Sequence, residues 1–351
     1  MESAQSLKIA ESNLIERRQA LEDWLKSACG LYDISLQPMP GDASLRRYFR
    51  LQAQERSFVV MDAPPPQENV RPFAAISRAL RGMGLQTPEI FQADNEQGFL
   101  LLTDFGDATY LRTLHAGNAG VLYQRALDAL AVLQSCRLVS GHAIPPFTAD
   151  FMWKEWAWHK EWVMEKLLGL ALGHAESALD ACYRHIVETA SAQPQVFMHR
   201  DYHSANLMVL ESGETGILDF QDAFIGPVTY DLVSLLRDCY IDWPDAQVQT
   251  LALCYAEKLQ ALDATTRVSR QDFLYWFDLM GLQRHLKALL TFARKHVRDH
   301  QPRYLEFVPR TMHYLLNVSQ RYPELSALHV YLRDTLKPAL SKVVKSSRVI
   351  K

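Results

Sequence analysis

The chain has 351 residues, of which 48% are hydrophobic, and its formal net charge is −3. This length and apolar content allow one large domain or two modest ones, each with a buried core. The slightly acidic balance argues against a nucleic-acid-binding surface and against a polybasic surface for membranes.

The five cysteines are scattered along the chain and form no Cys-x-x-Cys pair. Their odd number and wide spacing are typical of reduced thiols, not of a disulfide framework or a zinc site. The first eighteen residues are polar and charged, unlike a signal peptide. No apolar run reaches the length of a membrane span. We therefore expect a cytoplasmic protein with no nucleic-acid partner and no membrane insertion.

The amino-terminal part of the chain begins with an amphipathic helix that ends near Gly30. Residues 40–51 then predict a hairpin, with the turn in the first half and a strand in the second. Such a turn can cover phosphates with its backbone N–H groups. Ser44 could donate to a phosphate oxygen, and Arg46 or Arg47 could supply positive charge. A solvated basic hairpin is the alternative interpretation.

Three further elements follow the hairpin. Residues 58–62 predict a strand, which consecutive prolines end. Apolar residues at helical spacing predict a helix over residues 73–83, which ends near Gly84. Residues 98–103 predict another strand, which runs into the sequence Asp-Phe-Gly-Asp. The first hundred residues are therefore expected to be rich in β-structure.

The carboxy-terminal part is predicted to be mainly helical. Residues 111–136 have the pattern of one helix, and residues 151–162 place four of the seven tryptophans on another. Aromatic rings fill cores, but they also stack on the apolar faces of sugars. Trp158 is therefore a candidate for lining an acceptor pocket, with ordinary packing as the alternative.

Residues 272–298 predict a further helix or a pair of helices with an apolar stripe and a basic side. A charged helix face is usually solvated. An anionic acceptor, however, would need positive groups in a region that otherwise carries acids. Arg284 and Arg294 are the candidates for that role.

The stretch from His199 to Asp219 carries the strongest chemical signal. An apolar strand leads into His199, a loop carries Asp201 and Asn206, and a hairpin returns to Asp219. One acid is then available to accept a proton, while an amide and a second acid can hold a hard cation through oxygen. Phosphoryl transfer from a nucleoside triphosphate requires these groups. A buried Asp231 is expected to brace the backbone of this loop.

The spacing His-Arg-Asp-x-x-x-x-Asn with a second Asp downstream matches the catalytic residues of protein kinases. Asp219 is followed by Phe-Gln-Asp and not by Phe-Gly. Aminoglycoside phosphotransferases and choline kinases share this departure. The chain resembles the aminoglycoside-phosphotransferase fold along nearly its whole length. It is most similar to the bacterial N-acetylmuramate/N-acetylglucosamine 1-kinases. That similarity rests on residues 44–49, 60–65, 219–223, 232–238 and 281–287.

The resemblance implies an α+β, bilobal, protein-kinase-like fold. Residues 1–105 would form a small β-rich nucleotide-binding lobe, and residues 106–351 a larger, mainly helical catalytic lobe. The backbone of Thr103, Asp104 and Phe105 would bind adenine at the hinge. The lysine that usually holds the α and β phosphates is missing, because Met61 and Asp62 stand in its place. Either an arginine of the preceding hairpin substitutes for it, or phosphates are held weakly.

The resemblance also implies ATP-dependent phosphorylation of the anomeric hydroxyl of an amino sugar in cell-wall recycling. Asp201 would be the base, and Asn206 and Asp219 would hold Mg²⁺. The alternatives are a kinase for an aminoglycoside or choline-like alcohol and a nucleotide-binding pseudokinase. A protein kinase is disfavoured, because Gly226-Pro227 follows Asp219 too closely for an activation segment. The preferred amino sugar and the oligomeric state stay open.

Overall fold

The computed structural model describes residues 2–39, 45–53, 55–262 and 268–349, with the backbone alone for residues 2–13, 262, 348 and 349. The predicted phosphate contact of Ser44 lies outside these residues. The chain divides into two compact units. One comprises Met1–Asp107 with Ser140–His142, and the other comprises Ala108–Val139 with Ala143–Lys351.

The first unit is a five-stranded antiparallel sheet with two helices. Its elements are α1 (Glu2–Ser27), β1 (Ser35–Pro38), β2 (Arg47–Ala53), β3 (Arg56–Asp62), α2 (Arg71–Gly82), β4 (Ile90–Asp94) and β5 (Phe99–Thr103). The strand order is β1-β2-β3-β5-β4. Leu21, Trp24 and Leu25 of α1 pack in one apolar cluster with Val60 and Phe99 of the sheet. The predicted strands and helices of this part are confirmed.

Gly98 forms the tight turn into β5, and no larger residue fits there. Its φ is +75°, and a Cβ atom would lie 2.0 Å from the carbonyl oxygen of Ala63. The two backbones are this close because Ala63 N donates to Gly98 O at 2.9 Å. Glycine is therefore required by conformation and by space.

The second unit is mainly helical and carries two small antiparallel strand pairs. Its elements are α3 (Tyr110–Thr113), α4 (Ala119–Gln134), α5 (Ala149–His159), α6 (Glu176–Ser191), β6 (Gln195–Met198), β7 (Leu207–Val209), β8 (Thr215–Ile217), β9 (Phe224–Pro227), α7 (Tyr230–Leu236), α8 (Asp245–Leu262), α9 (Arg270–Val297), α10 (Val308–Ser319), α11 (Ser326–Tyr331) and α12 (Lys337–Val349). A π-helical segment, Lys160–Leu167, continues α5. The expected α+β class is confirmed. None of the described helices is long and apolar enough to cross a membrane.

The helix predicted over residues 111–136 is in fact two helices. Between α3 and α4, Asn118 accepts a hydrogen bond from the backbone N–H of His115 at 2.9 Å. Its Nδ2 donates to the carbonyl oxygen of Thr113, also at 2.9 Å. Asparagine side chains compete with the helical hydrogen-bond ladder in this way, and the helix is interrupted here for that reason.

Helix α9 is the central helix of the second unit and packs against α5, α6, α7, α8 and α10. The prediction that its basic side is solvated is wrong in the middle of the helix. Arg284 and His285 are buried, and Lys287 is mostly covered. Because neighbours surround the helix, its polar residues also face protein.

Candidate active site

The candidate active site begins where β6 ends. Strand β6 pairs antiparallel with β9, so that Met198 lies opposite Phe224. The strand character of β9 was not predicted, because its sequence ends in Gly-Pro. Gly226 permits the close pairing, since a Cβ atom there would lie 2.6 Å from the sulfur of Met198. The two strands fix the point at which the loop of residues 199–206 starts.

Asp231, in the first turn of α7, holds the start of this loop. Its Oδ2 accepts from the backbone N–H of His199 at 2.7 Å, and its Oδ1 accepts from that of Arg200 at 2.9 Å. Arg200 has a φ of +79°, which non-glycine residues rarely adopt. The predicted bracing role of Asp231 is confirmed. Burial raises the pKa of Asp231 to about 7, although the two backbone N–H groups oppose that shift.

His199 links the loop to the end of the hairpin. Its Nδ1 accepts from the backbone N–H of Asp201 at 3.3 Å, so we assign the ring proton to Nε2. Nε2 then donates to the carbonyl oxygen of Leu218 at 2.8 Å. Burial lowers the pKa of His199 to about 4, which keeps the ring neutral near pH 7. This histidine is therefore a structural link and not a proton carrier.

Asp238 holds the second half of the loop and was not predicted to do so. Its Oδ2 accepts from both the backbone N–H and the hydroxyl of Ser204, and its Oδ1 accepts from the backbone N–H of Tyr240 at 2.8 Å. The sequence signal was an acid following the apolar residues of α7. Two buried acids therefore fix the loop from its two ends.

The structure brings Asp201, Asn206 and Asp219 together. Nδ2 of Asn206 donates to the carbonyl oxygen of Asp201 at 3.0 Å and to Oδ2 of Asp219 at 3.3 Å. Gln221, a residue that sequence analysis missed, donates to Oδ1 of Asp219 at 2.7 Å. Asp219 itself has a φ of +63°. Strained backbone of this kind is frequent at functional sites.

The surroundings of Asp219 suit a cation. Burial, together with the nearby Asp201 carboxylate, raises the pKa of Asp219 above its ordinary value. A bound cation would offset both effects. Within the described residues no group of three or more His, Cys, Asp or Glu could hold a metal alone. Mg²⁺ commonly takes one or two protein ligands and completes its shell with phosphates and water, and Asn206 with Asp219 fits that pattern.

Lys287, on α9, contacts the Asp201 carboxylate. Its Nζ lies 3.2 Å from Oδ1, and the two side chains are 17% and 32% exposed. Burial opposes the ionisation of Asp201, but Lys287 and the neighbouring cations outweigh it. They hold the pKa of Asp201 well below its ordinary value. Sequence analysis does not predict this contact, because a contact across 86 sequence positions leaves no periodic signal.

Arg200 is occupied by structural contacts. Its guanidinium donates to Oε1 of Glu155 at 3.1 Å and lies over the rings of Phe151 and Phe224. The other oxygen of Glu155 accepts from Gln283 of α9 at 2.7 Å. The arginine before Asp201 therefore ties the loop to α5, and Glu155 ties α5 to α9.

The three candidate acceptor residues lie in different surroundings. Trp158 is 38% exposed and makes an edge contact with Phe151. Arg284 is buried, and its Nη1 lies 4.0 Å from the sulfur of Cys239. Arg294 lies over the ring of Trp162. Of the two arginines, Arg284 is the one whose positive charge acts on Asp201.

In the first unit, the arginines of the hairpin pair with acids. Nε of Arg46 lies 2.8 Å from Glu68, while Arg47 of β2 contacts the buried Asp62 of β3. Arg17 of α1 reaches the same carboxylate at 2.6 Å. Asp62, next to the position where the usual lysine is missing, is therefore held by two arginines.

The predicted hinge residues have partners within the first unit. The backbone N–H of Thr103 donates to Glu89 O at 3.0 Å. The carboxylate of Asp104 is held by Arg50 at 2.7 Å and by the hydroxyl of Ser57. The N–H of Thr103 is therefore already used, and the carbonyl oxygen of Thr103 and the backbone of Asp104 and Phe105 stay the predicted contacts of adenine.

The chain is similar to known proteins in sequence and in structure. The model of the phosphotransferase enzyme family, APH, matches residues 35–264. The N-acetylmuramate/N-acetylglucosamine kinase of Pseudomonas aeruginosa is 44% identical over 292 residues, which cover 83% of this chain and 86% of that protein. Among solved structures, an ethanolamine kinase from Plasmodium vivax has a TM-score of 0.59 at 12% identity, covering 87% of this chain and 88% of that one.

An aminoglycoside phosphotransferase solved with ADP bound has a TM-score of 0.54 at 13% identity. The match covers 85% of this chain and 98% of that one. At this level of identity the two structural likenesses show the fold alone, and they confirm the protein-kinase-like fold. The family match covers well over half of the chain, and the relative is similar along most of its length. The chain therefore belongs to the phosphotransferase enzyme family.

Proposed function

We propose that this protein is a small-molecule kinase that transfers the γ-phosphoryl group of ATP to the anomeric hydroxyl of N-acetylmuramate and N-acetylglucosamine. The observation that carries the chemistry is the Asp201–Asn206–Asp219 group, held together in one braced loop and hairpin. The substrate is inferred from the name of the relative that is 44% identical to this chain.

In the proposed reaction, Asp201 accepts a hydrogen bond from the sugar hydroxyl and takes up its proton as the hydroxyl oxygen attacks phosphorus. An anomeric hydroxyl is more acidic than an ordinary alcohol, which suits a carboxylate whose pKa is low. Asn206 and Asp219 are the proposed ligands of Mg²⁺. When bound, the ion would neutralise phosphate charge.

The proposed nucleotide contacts of the first unit are cationic and backbone groups. Arg46 and Arg47 supply the positive charge that the missing lysine would otherwise supply, with Ser44 beside them in the sequence. The backbone of Thr103, Asp104 and Phe105 is proposed to bind adenine. Both arginines already pair with acids, and guanidinium groups also suit the geometry of phosphate oxygens.

For the acceptor, we propose that Trp158 contributes a ring face and that Arg284 contributes positive charge. N-Acetylmuramate carries a carboxylate that N-acetylglucosamine lacks. Arg284 is buried beside Cys239, and its positive charge already acts on Asp201, the proposed base. Arg294 is a second candidate and lies further along the same helix.

The experiment that tests the proposal is phosphorus NMR of the protein with MgATP and four separate acceptors. These are N-acetylmuramate, N-acetylglucosamine, kanamycin and choline. A new phosphate signal coupled to an anomeric proton would support the proposed reaction and position. Product from kanamycin or choline alone would contradict the proposed substrate. ATP binding without any product would indicate a pseudokinase.

Replacing Asp201 by Asn tests the proposed base. We expect kcat to fall by about 10³-fold, because the proton acceptor is lost. The affinity for ADP, measured by calorimetry, should change by less than about twofold, since Asp201 is not proposed to contact the nucleotide before transfer. A variant with the kcat of the wild type would contradict the role of Asp201.

A further inference from the structure

The contact between Lys287 and Asp201 has no role in the proposed reaction so far. Lys287 Nζ lies 3.2 Å from Oδ1 of Asp201, and both side chains are partly exposed. An ammonium group has three donors on a flexible four-carbon stem. One donor is directed at Asp201, so the other two can serve a bound molecule.

Other cations near the loop are not placed to serve the reacting atoms. The guanidinium of Arg200 donates to Glu155 and lies over two aromatic rings. Both ring nitrogens of His199 are engaged with the backbone. Arg284 is buried, with its guanidinium beside Cys239. Across residues 55–262 and 268–349, Lys287 supplies the only ion pair with the Asp201 carboxylate.

The reaction places developing negative charge close to this ammonium group. The sugar oxygen forms a bond to the γ-phosphorus, its proton passes to Asp201, and the bond from the γ-phosphorus to the bridging oxygen breaks to release ADP. In the transition state negative charge is spread over three oxygens of the transferred group. The attacking oxygen is within hydrogen-bond distance of Asp201, and the phosphorus lies one bond further on. A lysine that touches Asp201 can therefore reach a transferred oxygen.

We propose that Lys287 is a catalytic residue whose ammonium group holds the Asp201 carboxylate in the free enzyme and donates to an oxygen of the transferred phosphoryl group during the reaction. This inference rests on the proposed function, since it requires phosphoryl transfer at Asp201. The catalytic cation is then supplied by α9 and not by the loop that carries the base. It would donate to the transferred group as that group passes from ADP to the sugar, and a donor fixed in place for the transition state lowers the barrier.

The test is the pair of substitutions Lys287→Met and Lys287→Ala, with Lys295→Ala as the matched control. Lys295 lies on the same helix, but its Nζ lies over the ring of Tyr304. Methionine keeps most of the stem of lysine and removes the charge. We expect kcat of both Lys287 variants to fall by about 10²- to 10³-fold, as for loss of one transition-state donor. ADP affinity and the thermal midpoint of Lys287→Met should stay close to the wild type.

Ethylammonium distinguishes a catalytic role from a structural one. It can occupy the space that Lys287→Ala leaves, so we expect it to raise kcat of that variant and not of Asp201→Asn. The activity of each variant is measured in two ways. One is phosphorylation of the acceptor that the wild type uses, and the other is the slow hydrolysis of ATP without an acceptor. A wild type that phosphorylates neither amino sugar contradicts the proposed function alone, because the hydrolysis comparison still tests Lys287.

Two results would overturn the inference. One is a kcat of Lys287→Met within about threefold of the wild type, since a catalytic cation contributes far more than that. The other is a loss of kcat that ethylammonium does not relieve and that follows a matching loss of ADP affinity or thermal stability. That pattern would make Lys287 a structural residue.

Discussion

Each of the two compact units buries an acid next to its candidate functional residues, but the partners of the two acids differ. In the first unit, Asp62 is held by the side chains of Arg17 and Arg47. In the second unit, Asp231 accepts from two backbone N–H groups, those of His199 and Arg200. Arginine side chains can exchange one anionic partner for another. Backbone groups cannot move away without changing the loop.

The difference indicates where each unit is adaptable. An arginine that pairs with a carboxylate can also turn to a phosphate, because both anions match its donors. The backbone around Asp201 has no such freedom, since Asp231 and Asp238 fix it at both ends. Substitution of Asp62 should therefore change mainly stability, whereas substitution of Asp231 should change catalysis as well.

Among the substitutions that compare the two units, Asp231→Asn is expected to have the largest effect. One backbone N–H of the loop would then face the amide Nδ2, another donor, and the loop would shift. We expect kcat to fall by about 100-fold, as small misplacements of reacting groups do. The free energy of unfolding should fall by about 1–3 kcal/mol. Steady-state kinetics and urea unfolding measure the two effects.

The control for this variant is Glu211→Gln, which changes an exposed acid in the turn between β7 and β8. It should leave kcat within about twofold of the wild type, because exposed surface substitutions away from special contacts have small effects. If Asp231→Asn keeps a similar kcat, then the bracing hydrogen bonds do not position Asp201.

The second effect concerns pH. Burial raises the pKa of Asp231 to about 7 in the folded protein, whereas an unfolded Asp titrates near 3.8. Between these values the folded state binds the proton that the unfolded state has lost, so this group's contribution to stability falls as pH rises. From pH 5 to pH 8, the unfolding free energy of the wild type should fall by about 2.5 kcal/mol relative to Asp231→Asn.

Urea unfolding of both proteins at the two pH values measures this difference. The Asn variant does not titrate at residue 231 and is therefore the reference for all other groups. If the difference in stability between the two proteins is the same at pH 5 and at pH 8, then the backbone N–H groups outweigh burial and the pKa of Asp231 is not raised.

A smaller effect is expected for Asp62→Asn. Arg17 and Arg47 would lose their shared anion, but both are more than one-fifth exposed and keep some contact with water. We expect the free energy of unfolding to fall by about 1–2 kcal/mol. The value of kcat at saturating ATP should stay within about threefold of the wild type.

Glu22→Gln is the control for Asp62, because it removes a partly exposed ion pair with Arg18 within α1. It should change the unfolding free energy by less than about 0.5 kcal/mol. The comparison between the units would be wrong if Asp62→Asn lowered kcat as much as Asp231→Asn does.

The smallest effect is expected for Trp158→Ala. A partly exposed ring that stacks on a sugar contributes about 0.5–1.5 kcal/mol, so KM for the sugar should rise by roughly three- to tenfold. Trp153→Ala is the control, because Trp153 packs against Tyr183 and is not proposed to contact the acceptor. Equal KM values for the two variants would show that Trp158 has only a packing role.

Much of the fold could be predicted from the sequence, because local patterns carry it. The strand before His199 and the hairpin between Asn206 and Asp219 follow from short apolar runs and turn residues. Asp231 was recognised as a brace because an acid among apolar helical positions must be hydrogen-bonded. The break at Asn118 was missed, since the helical pattern continues on both sides of it.

The remaining contacts of the site depend on tertiary packing. The sequence of α9 indicates a polar face that includes Gln283, Arg284 and Lys287. This face is covered only because other helices surround α9. Gln221 donates to Asp219, and Asp238 accepts from the backbone N–H and the hydroxyl of Ser204 in the loop. Such contacts have no characteristic spacing in the sequence. Residues 40–44, where Ser44 lies, are outside the described part of the chain, and their phosphate contact stays a prediction.

Helix α9 has a consequence for protein engineering. Its Lys287 contacts Asp201, and its Gln283 donates to Glu155, the partner of Arg200. The loop and the helix therefore form one functional unit, although they are far apart in the sequence. Moving residues 199–219 alone into a distant member of the family would carry the base and the metal ligands but not their supports. A functional transplant would have to exchange residues 281–287 at the same time.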